Sequence, residues 1–204
     1  MVDLTKPITI ENCLYRVYAI GSMESPAKLD GGVSWRKKLI PELNKRGIFT
    51  FDPTANEVKK VGMTTKKFIK VVKTYQKDEI REKFIESMDK IWKGVHKLIQ
   101  TKDNAVEMTH VIGDIGYVEN SNFLIWNWDE GDKPGGSIIE ATIAWYRKIP
   151  VYLISTIAPE NFNTSIYYFI LSSGNNEGKH FESQEDLLTF LDEKYELKVK
   201  KEQK

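Results

Sequence analysis

The sequence of 204 residues predicts an α/β protein with a mostly parallel sheet and flanking helices. One observation is the order strand, loop, helix, strand within residues 14–51, since the right-handed crossover rule makes parallel pairing the default for such a unit. The other is the apolar run 123–128, which leads through a glycine-rich turn into a helical pattern at 137–148 and a strand-like run at 151–155. Each of these two βαβ segments places a helix between two buried strands.

Residue patterns support each element of the first βαβ segment, residues 14–51. Residues 14–20 are rich in β-branched and aromatic side chains, as buried strands are. A helix is predicted from Val33, and Gly47 stands where a C-cap is expected. Apolar residues recur every four positions in this helix, namely Trp35, Leu39 and Leu43. Residues 48–51 are predicted to form a short second strand.

Residues 56–105 depart from the alternation of strand and helix patterns and are predicted to form a helical insertion. Apolar residues at helical spacing favour two helices, at 64–75 and 77–100. Lysine pairs in this segment could attract phosphates, but a solvated helix face is favoured because acidic residues follow closely. The predicted organisation is a single α/β domain over 1–195, with the insertion at about 56–105 and a charged tail at 196–204.

The remaining segments extend the α/β pattern to the end of the chain. Their predicted ranges are a helix at 106–119, a strand at 165–171, a turn-rich loop at 172–179 and a closing helix at 183–195.

Charge and composition exclude several classes of protein. The 30 basic residues against 29 acidic ones leave a net charge of +1, whereas dedicated nucleic-acid binders carry a basic excess. The single cysteine, Cys13, excludes an intramolecular disulfide and a thiolate zinc site. The three histidines are scattered without metal-ligand spacing, so the sequence predicts neither a metal nor another cofactor.

Hydropathy predicts a soluble, cytoplasmic protein with no membrane partner. No apolar run approaches the roughly 18 residues that span a bilayer. The first residues are acidic and polar where a signal peptide would be apolar.

The candidate site begins at Gly135 and Gly136, followed by Ser137 and Glu140 at the start of a predicted helix. A carboxylate at a helix start beside the end of a buried strand is where open α/β proteins place their chemistry. The same spacing fits a capping box, in which Ser137 caps the helix and Glu140 folds back. Two adjacent glycines are unnecessary for a cap and suit a backbone that approaches a ligand closely. Spacing alone favours the cap, and the two interpretations can coexist.

Three short motifs follow one another along the predicted elements. They are VYAIGS at residues 17–22, Asp114 placed eight residues before Asn122, and GSIIE at residues 136–140 with IPV at 149–151. Their order resembles that of the nucleoside 2-deoxyribosyltransferases and the related deoxynucleoside monophosphate N-glycosidases. That family has an aspartate at the same distance before a strand, then Gly-Thr-x-x-Glu and Lys-Pro-Val. The resemblance covers residues 14–55 and 106–155, and the fold expected is flavodoxin-like (Rossmann-like).

The resemblance implies a chemical role for three residues. Glu140 would be the nucleophile, since a carboxylate beneath the anomeric carbon stabilises an oxocarbenium-like transition state or forms a covalent adduct. Tyr18 would orient Glu140 by a hydrogen bond, and Asp114 would protonate or anchor the leaving base. A core tyrosine at 18 and a surface helix aspartate at 114 are equally compatible with the sequence.

Substrate contacts are predicted at two glycine-containing segments. Gly21 and Ser22 follow the first strand and could hold a sugar hydroxyl or a 5′-phosphate, or simply connect two elements. Gly135, Gly136 and Ser137 would present backbone N–H groups at a positive helix end.

The chain departs from the family pattern at two carboxylate positions. Asn122 stands where the family has a strand-opening aspartate. Many members carry an aspartate six residues before the nucleophile, where this chain has Pro134. Asp129 and Asp132 could reach the ribose site instead, although Asp132 also suits a turn.

These inferences together predict an enzyme that cleaves or transfers the N-glycosidic bond of a small-molecule 2′-deoxynucleoside or its 5′-monophosphate, without a cofactor. Water as acceptor would make it a hydrolase, and a second base would make it a transferase. The resemblance also implies a homo-oligomer, a dimer or larger, because the family builds sites at subunit contacts. The alternatives are a non-catalytic nucleotide-sensing or scaffold module, and a partner-docking arm at 56–105.

Overall fold

The computed structural model describes residues 6–22, 32–100 and 106–198. The chain divides into two compact units: Met1–Asp52 with Asn120–Lys204 forms the first, and Pro53–Glu119 forms the second. The predicted charged tail lies outside the described residues from position 199 onward. That residues 1–195 act as a single domain stays a prediction.

Strands and helices alternate through most of the chain. In chain order the strands are β1 (Tyr15–Gly21), β2 (Ile48–Phe51), β3 (Gly94–Gln100), β4 (Val106–Ile112), β5 (Phe123–Asn127), β6 (Val151–Ile154) and β7 (Lys179–Phe181). The helices are α1 (Val33–Asn44), α2 (Pro53–Val61), α3 (Thr65–Lys77), α4 (Arg81–Trp92), α5 (Asp114–Glu119), α6 (Gly135–Tyr146), α7 (Thr164–Asn176) and α8 (Gln184–Lys194).

The first unit is built on a sheet that has five strands in the part of the chain that the structure describes, in the order β2-β1-β5-β6-β7. Every neighbouring pair in this sheet is parallel. The predicted class, α/β with a mostly parallel, flavodoxin-like sheet and flanking helices, is therefore confirmed.

Alternate residues of β1 face opposite sides of this sheet. Val17 and Ala19 belong to a buried apolar cluster that includes residues of α1 and α8. Tyr18 faces the other side, where its hydroxyl meets a side chain of α6. All five residues of β5 are buried, as expected for a central parallel strand covered on both faces. The sheet thus has one layer of helices on each side.

The second unit combines helices with a β-hairpin. Phe68, Val72 and Ile91 form a small apolar cluster between α3 and α4. The hairpin is formed by β3 and β4, which pair antiparallel from Gly94 opposite Ile112 to Gln100 opposite Val106. The first helix, α2, was not predicted, although a proline at the first helical position is a typical start signal.

The helix predicted at 77–100 is wrong after Trp92, where α4 ends. Gly94 follows with a φ of 89°, a conformation that glycine adopts at little cost. A Cβ at this position would collide with the carbonyl oxygen of Val111 in the facing strand. The glycine therefore ends the helical pattern and begins the hairpin.

The helix predicted at 106–119 is wrong over its first half, which is β4. Only Asp114–Glu119 is helical, as α5. Short apolar runs do not distinguish strand from helix by periodicity alone. Here the pairing with β3 decides the outcome, because the hairpin supplies backbone hydrogen bonds that no local pattern reveals.

The strand predicted at 165–171 is also wrong, since this segment lies within α7. The Asn163 side chain caps the helix by accepting hydrogen bonds from the backbone N–H groups of Ser165 and Ile166, at 3.1 and 3.3 Å. The loop predicted at 172–179 begins only where α7 kinks, at Gly174 and Asn175, which both have a φ of 59°. The run is apolar because α7 packs against α6 and β6.

Candidate active site

Glu140 and Tyr18 meet in the interior of the first unit. The Tyr18 hydroxyl donates a hydrogen bond to Oε1 of Glu140 over 2.6 Å. Tyr18 is fully buried in the middle of β1, and Glu140 is 6% exposed. The hydrogen bond that the family resemblance implied is present, and it satisfies a carboxylate that would otherwise be costly to bury.

This pair lies at the topological switch point of the sheet, where the strand order reverses between β1 and β5. From β1 the chain passes through α1 to β2 on one side, whereas from β5 it passes through α6 to β6 on the other side. Because β1 and β5 are neighbours, a crevice is expected beyond their carboxyl ends, and open α/β proteins bind ligands in that crevice. The β1–β5 boundary is therefore the position that the topology favours for a site.

The start of α6 does not form the capping box that the spacing allowed. The N-cap position is Pro134, which makes no side-chain cap hydrogen bond. Ser137 lies within the first turn and is buried, and Glu140 lies in the second turn. The carboxylate of Glu140 is directed to Tyr18 instead. The cap interpretation of Ser137 and Glu140 is wrong.

Gly135 and Gly136 are exposed in the first turn of α6. Neither has a positive φ, and a Cβ built on either would meet no atom of the described residues within 4 Å. Backbone conformation and packing against the described part of the chain therefore do not explain the two glycines. Open space beside a helix start is what a close approach by a ligand needs.

Gly21, by contrast, is explained by packing inside the sheet. A Cβ at this position would lie 2.9 Å from the carbonyl oxygen of Asn127 and 3.3 Å from the Trp35 ring. The close approach of β1 to β5 and α1 thus requires glycine here. A substrate contact by Gly21 stays a prediction.

Ser22, at the end of β1, contacts the loop before α6. Its hydroxyl donates a hydrogen bond to the carbonyl oxygen of Lys133 over 3.3 Å. In the same loop, the Asp132 carboxylate accepts from the backbone N–H of Asp129 at 3.1 Å, and the Asp132 N–H donates to the carbonyl of Asp129 at 3.1 Å. Asp132 therefore stabilises a turn in the described loop, and a ribose contact by either aspartate stays a prediction.

Arg36 is a buried cation that the sequence analysis missed. It is 1% exposed, and its guanidinium donates to the carbonyl oxygens of Ala19, Gly32 and Gly21 at 3.1, 2.7 and 3.4 Å. These carbonyls belong to the end of β1 and the start of α1, so Arg36 holds the two together. A signal existed, because position 36 falls on the same apolar face as Leu39 and Leu43.

Asp114 lies in the second unit, at the start of α5, and is 5% exposed. Its carboxylate accepts a hydrogen bond from Nζ of Lys60 over 2.5 Å, and the Lys60 side chain is fully buried. The Lys60 ammonium also lies 4.6 Å from the centre of the Tyr117 ring. Burial, with the nearby charge of Asp114, raises the pKa of Tyr117 to about 12. A surface aspartate at 114 is thus ruled out, while its role toward a leaving base stays a prediction.

Asn122 has a structural partner at the amino end of β5. Its side-chain oxygen accepts from the backbone N–H of Arg16 at 2.8 Å, and its own N–H donates to the Arg16 carbonyl at 2.7 Å. The amide therefore joins β5 to β1 at the amino ends of these strands, away from their carboxyl ends. An asparagine is sufficient for this contact.

Within the described residues the structure has neither a cluster of three metal ligands nor a membrane-spanning helix. No group of three or more His, Cys, Asp or Glu side chains there is placed to bind one metal ion. In the same ranges no helix has both the length and the apolar character needed to cross a bilayer.

Comparison with known proteins supports the fold. The sequence matches no protein-family model and no curated protein at a significant level. A solved structure of the 2-deoxyribosyltransferase from the psychrotolerant bacterium Bacillus psychrosaccharolyticus is similar, with a TM-score of 0.51 and 13% sequence identity over 91% of this chain and 99% of that chain. The likeness shows a shared fold. That enzyme is described as a biocatalyst for the synthesis of antiviral and antitumoral nucleosides.

Proposed function

We propose that this protein cleaves or transfers the N-glycosidic bond of a 2′-deoxynucleoside or its 5′-monophosphate, with Glu140 as nucleophile. The observation that carries the proposal is the buried Tyr18–Glu140 hydrogen bond at the β1–β5 boundary. A carboxylate held in this position is what an oxocarbenium-like transition state needs beside the anomeric carbon. The fold shared with a 2-deoxyribosyltransferase agrees with this chemistry.

The proposed reaction proceeds in two displacements. The Glu140 carboxylate forms a bond to C1′ as the bond from C1′ to the base breaks, and the base leaves with that electron pair and takes up a proton from solvent. A second base or a water molecule then attacks C1′ and loses a proton to solvent, while the bond from C1′ to Glu140 breaks and restores the carboxylate. The Tyr18 hydroxyl keeps the carboxylate oriented throughout.

The surrounding residues are proposed to bind the sugar. Gly135 and Gly136 leave open space at the positive end of α6, where a hydroxyl or phosphate can approach backbone N–H groups. Ser137 is buried one turn before Glu140, and the loop containing Asp129 and Asp132 leads into the same helix.

The first test replaces Glu140 by glutamine, which keeps the shape of the side chain and removes its nucleophilic charge. Chromatography of mixtures with each deoxynucleoside and its monophosphate reports the release of free base. The E140Q variant should lose at least about 10³-fold in rate, as expected when a nucleophile is removed. The matched control is Glu160→Gln, an exposed glutamate in the Pro159–Asn161 turn, which should keep the parent rate. Release of base by E140Q at the parent rate would show the mechanism to be wrong.

A second candidate function is a nucleotide sensor that binds without turnover. The observation that favours it is the absence of a carboxylate at positions 122 and 134, where Asn122 and Pro134 stand. Calorimetric titration with the same compounds, followed by chromatography after hours of incubation, separates the two functions. Binding with no release of any base would favour the sensor.

A further inference from the structure

Two imidazole rings lie side by side on one face of the β-hairpin in the second unit. His96 in β3 pairs directly with His110 in β4. The ring centroids are 4.6 Å apart, and the ring planes are inclined by 27°. Both side chains are exposed, so the pair is accessible from solvent.

The ring nitrogens of this pair are available as ligands. Neither His96 nor His110 makes a hydrogen bond or ion pair with any residue that the structure describes. His180 differs, because its Nε2 lies 2.8 Å from the Ser155 carbonyl oxygen and its Nδ1 lies 3.4 Å from the Tyr167 hydroxyl. A neutral imidazole offers one nitrogen lone pair to a metal ion, and His96 and His110 have no described partner that would occupy it.

We propose that His96 and His110 bind a divalent transition-metal ion, with water completing its coordination. Nitrogen–metal bonds of about 2.0–2.1 Å place two imidazole nitrogens of one ion roughly 3 Å apart. Two rings with centroids 4.6 Å apart on paired strands reach that separation by side-chain rotation. The site does not depend on the proposed glycosidic chemistry, since it is built from other residues.

The chemistry of these side chains selects the ion. Imidazole suits Cu²⁺, Ni²⁺ and Zn²⁺, and Cu²⁺ binds most tightly among divalent ions of this series.

The test measures Cu²⁺ binding to the full chain by equilibrium dialysis. The variants His96→Phe and His110→Phe keep an aromatic ring in the cross-strand pair and remove its nitrogen. Each should weaken Cu²⁺ binding by at least about 10–100-fold. Removing a residue that only hydrogen-bonds a metal ligand already costs that much, and losing the ligand itself costs no less. Thr109→Ala, on the opposite face of β4, is the matched control and should bind Cu²⁺ as the parent does.

A second pair of variants keeps the result interpretable if phenylalanine disturbs the hairpin. His96→Ala and His110→Ala remove the ring as well, and circular dichroism checks that each variant folds. Weaker Cu²⁺ binding in both positions supports the site, and the double variant gives the level of binding from the rest of the chain. Parent affinity in the double variant, with the fold intact, would overturn the proposal.

Discussion

At the scale of single residues, Tyr18 belongs both to the buried core and to the candidate site. Its ring is fully buried in β1, and its hydroxyl bonds to Glu140. The two residues are 122 positions apart in sequence, and the packing of α6 against β1 brings them together. A core tyrosine with a satisfied hydroxyl and a residue that positions a nucleophile are here the same side chain.

Replacing Tyr18 by phenylalanine separates these two roles. The ring still fills the core, but the buried Glu140 carboxylate loses a hydrogen bond, so the free energy of unfolding should fall by about 1–3 kcal/mol while the fold persists. A hydrogen bond to a charged group contributes about 1.5–3 kcal/mol, so kcat for base release should fall by about 10–100-fold, with little change in KM.

The control for Tyr18→Phe is Tyr152→Phe. Tyr152 is also buried, and its hydroxyl pairs with that of Tyr195 at 2.9 Å. This substitution removes a buried hydroxyl elsewhere and should leave kcat unchanged. Equal losses of kcat in both variants would mean that Tyr18 acts through stability alone.

At the scale of elements, α6 carries Glu140 and exposes two glycines at its first turn. The helix starts directly after a loop that Ser22 contacts. Ordinary φ values and open surroundings make these glycines replaceable as far as the described fold is concerned. The described fold therefore gives no reason for a cost of replacement, and the proposed function attributes any such cost to a bound substrate.

Gly136→Ala tests this point. Alanine in a helix is favoured over glycine, so the free energy of unfolding should stay the same or rise by up to about 1 kcal/mol. If a substrate approaches the backbone here, the added methyl group should raise KM by about tenfold, which corresponds to a lost 1.4 kcal/mol. Steady-state kinetics and chemical denaturation measure the two effects. An unchanged KM would exclude a close approach at Gly136.

At the scale of the whole molecule, the chain forms two compact units, and the second has a buried ion pair in its interior. Lys60 of α2 and Asp114 of α5 are separated by 54 positions and join the ends of that unit. Removing one partner of a buried pair leaves an uncompensated charge, which costs far more than losing a surface pair.

Lys60→Met should therefore destabilise the second unit by about 3–5 kcal/mol. Hydrogen exchange should show the loss of protection within Pro53–Glu119. The control is Lys90→Met, which breaks the exposed pair with Glu86 on α4 and should cost no more than about 0.5 kcal/mol. Similar protection in the two variants would contradict a stabilising role for the buried pair.

Much of the first unit followed from local sequence patterns. β1, α1, β2, β5, α6, β6 and α8 were predicted within a few residues, because each has a clear apolar period and a glycine or proline nearby. The hairpin and α7 were not predicted, because an apolar run such as 165–171 fits a helix or a strand until its partners are known.

Local patterns in the chain were sufficient to predict the α/β class and the parallel sheet, whereas Glu140 became the candidate nucleophile only through the family resemblance. The contacts of Glu140 depend on the folded chain, in which its carboxylate bonds to Tyr18 and does not cap its own helix. The same holds for the burial of Arg36 and for the ion pair between Lys60 and Asp114, which depend on contacts between distant elements. Periodicity records which side of an element is buried, whereas polar partners distant in the chain are set by the packing of elements against one another.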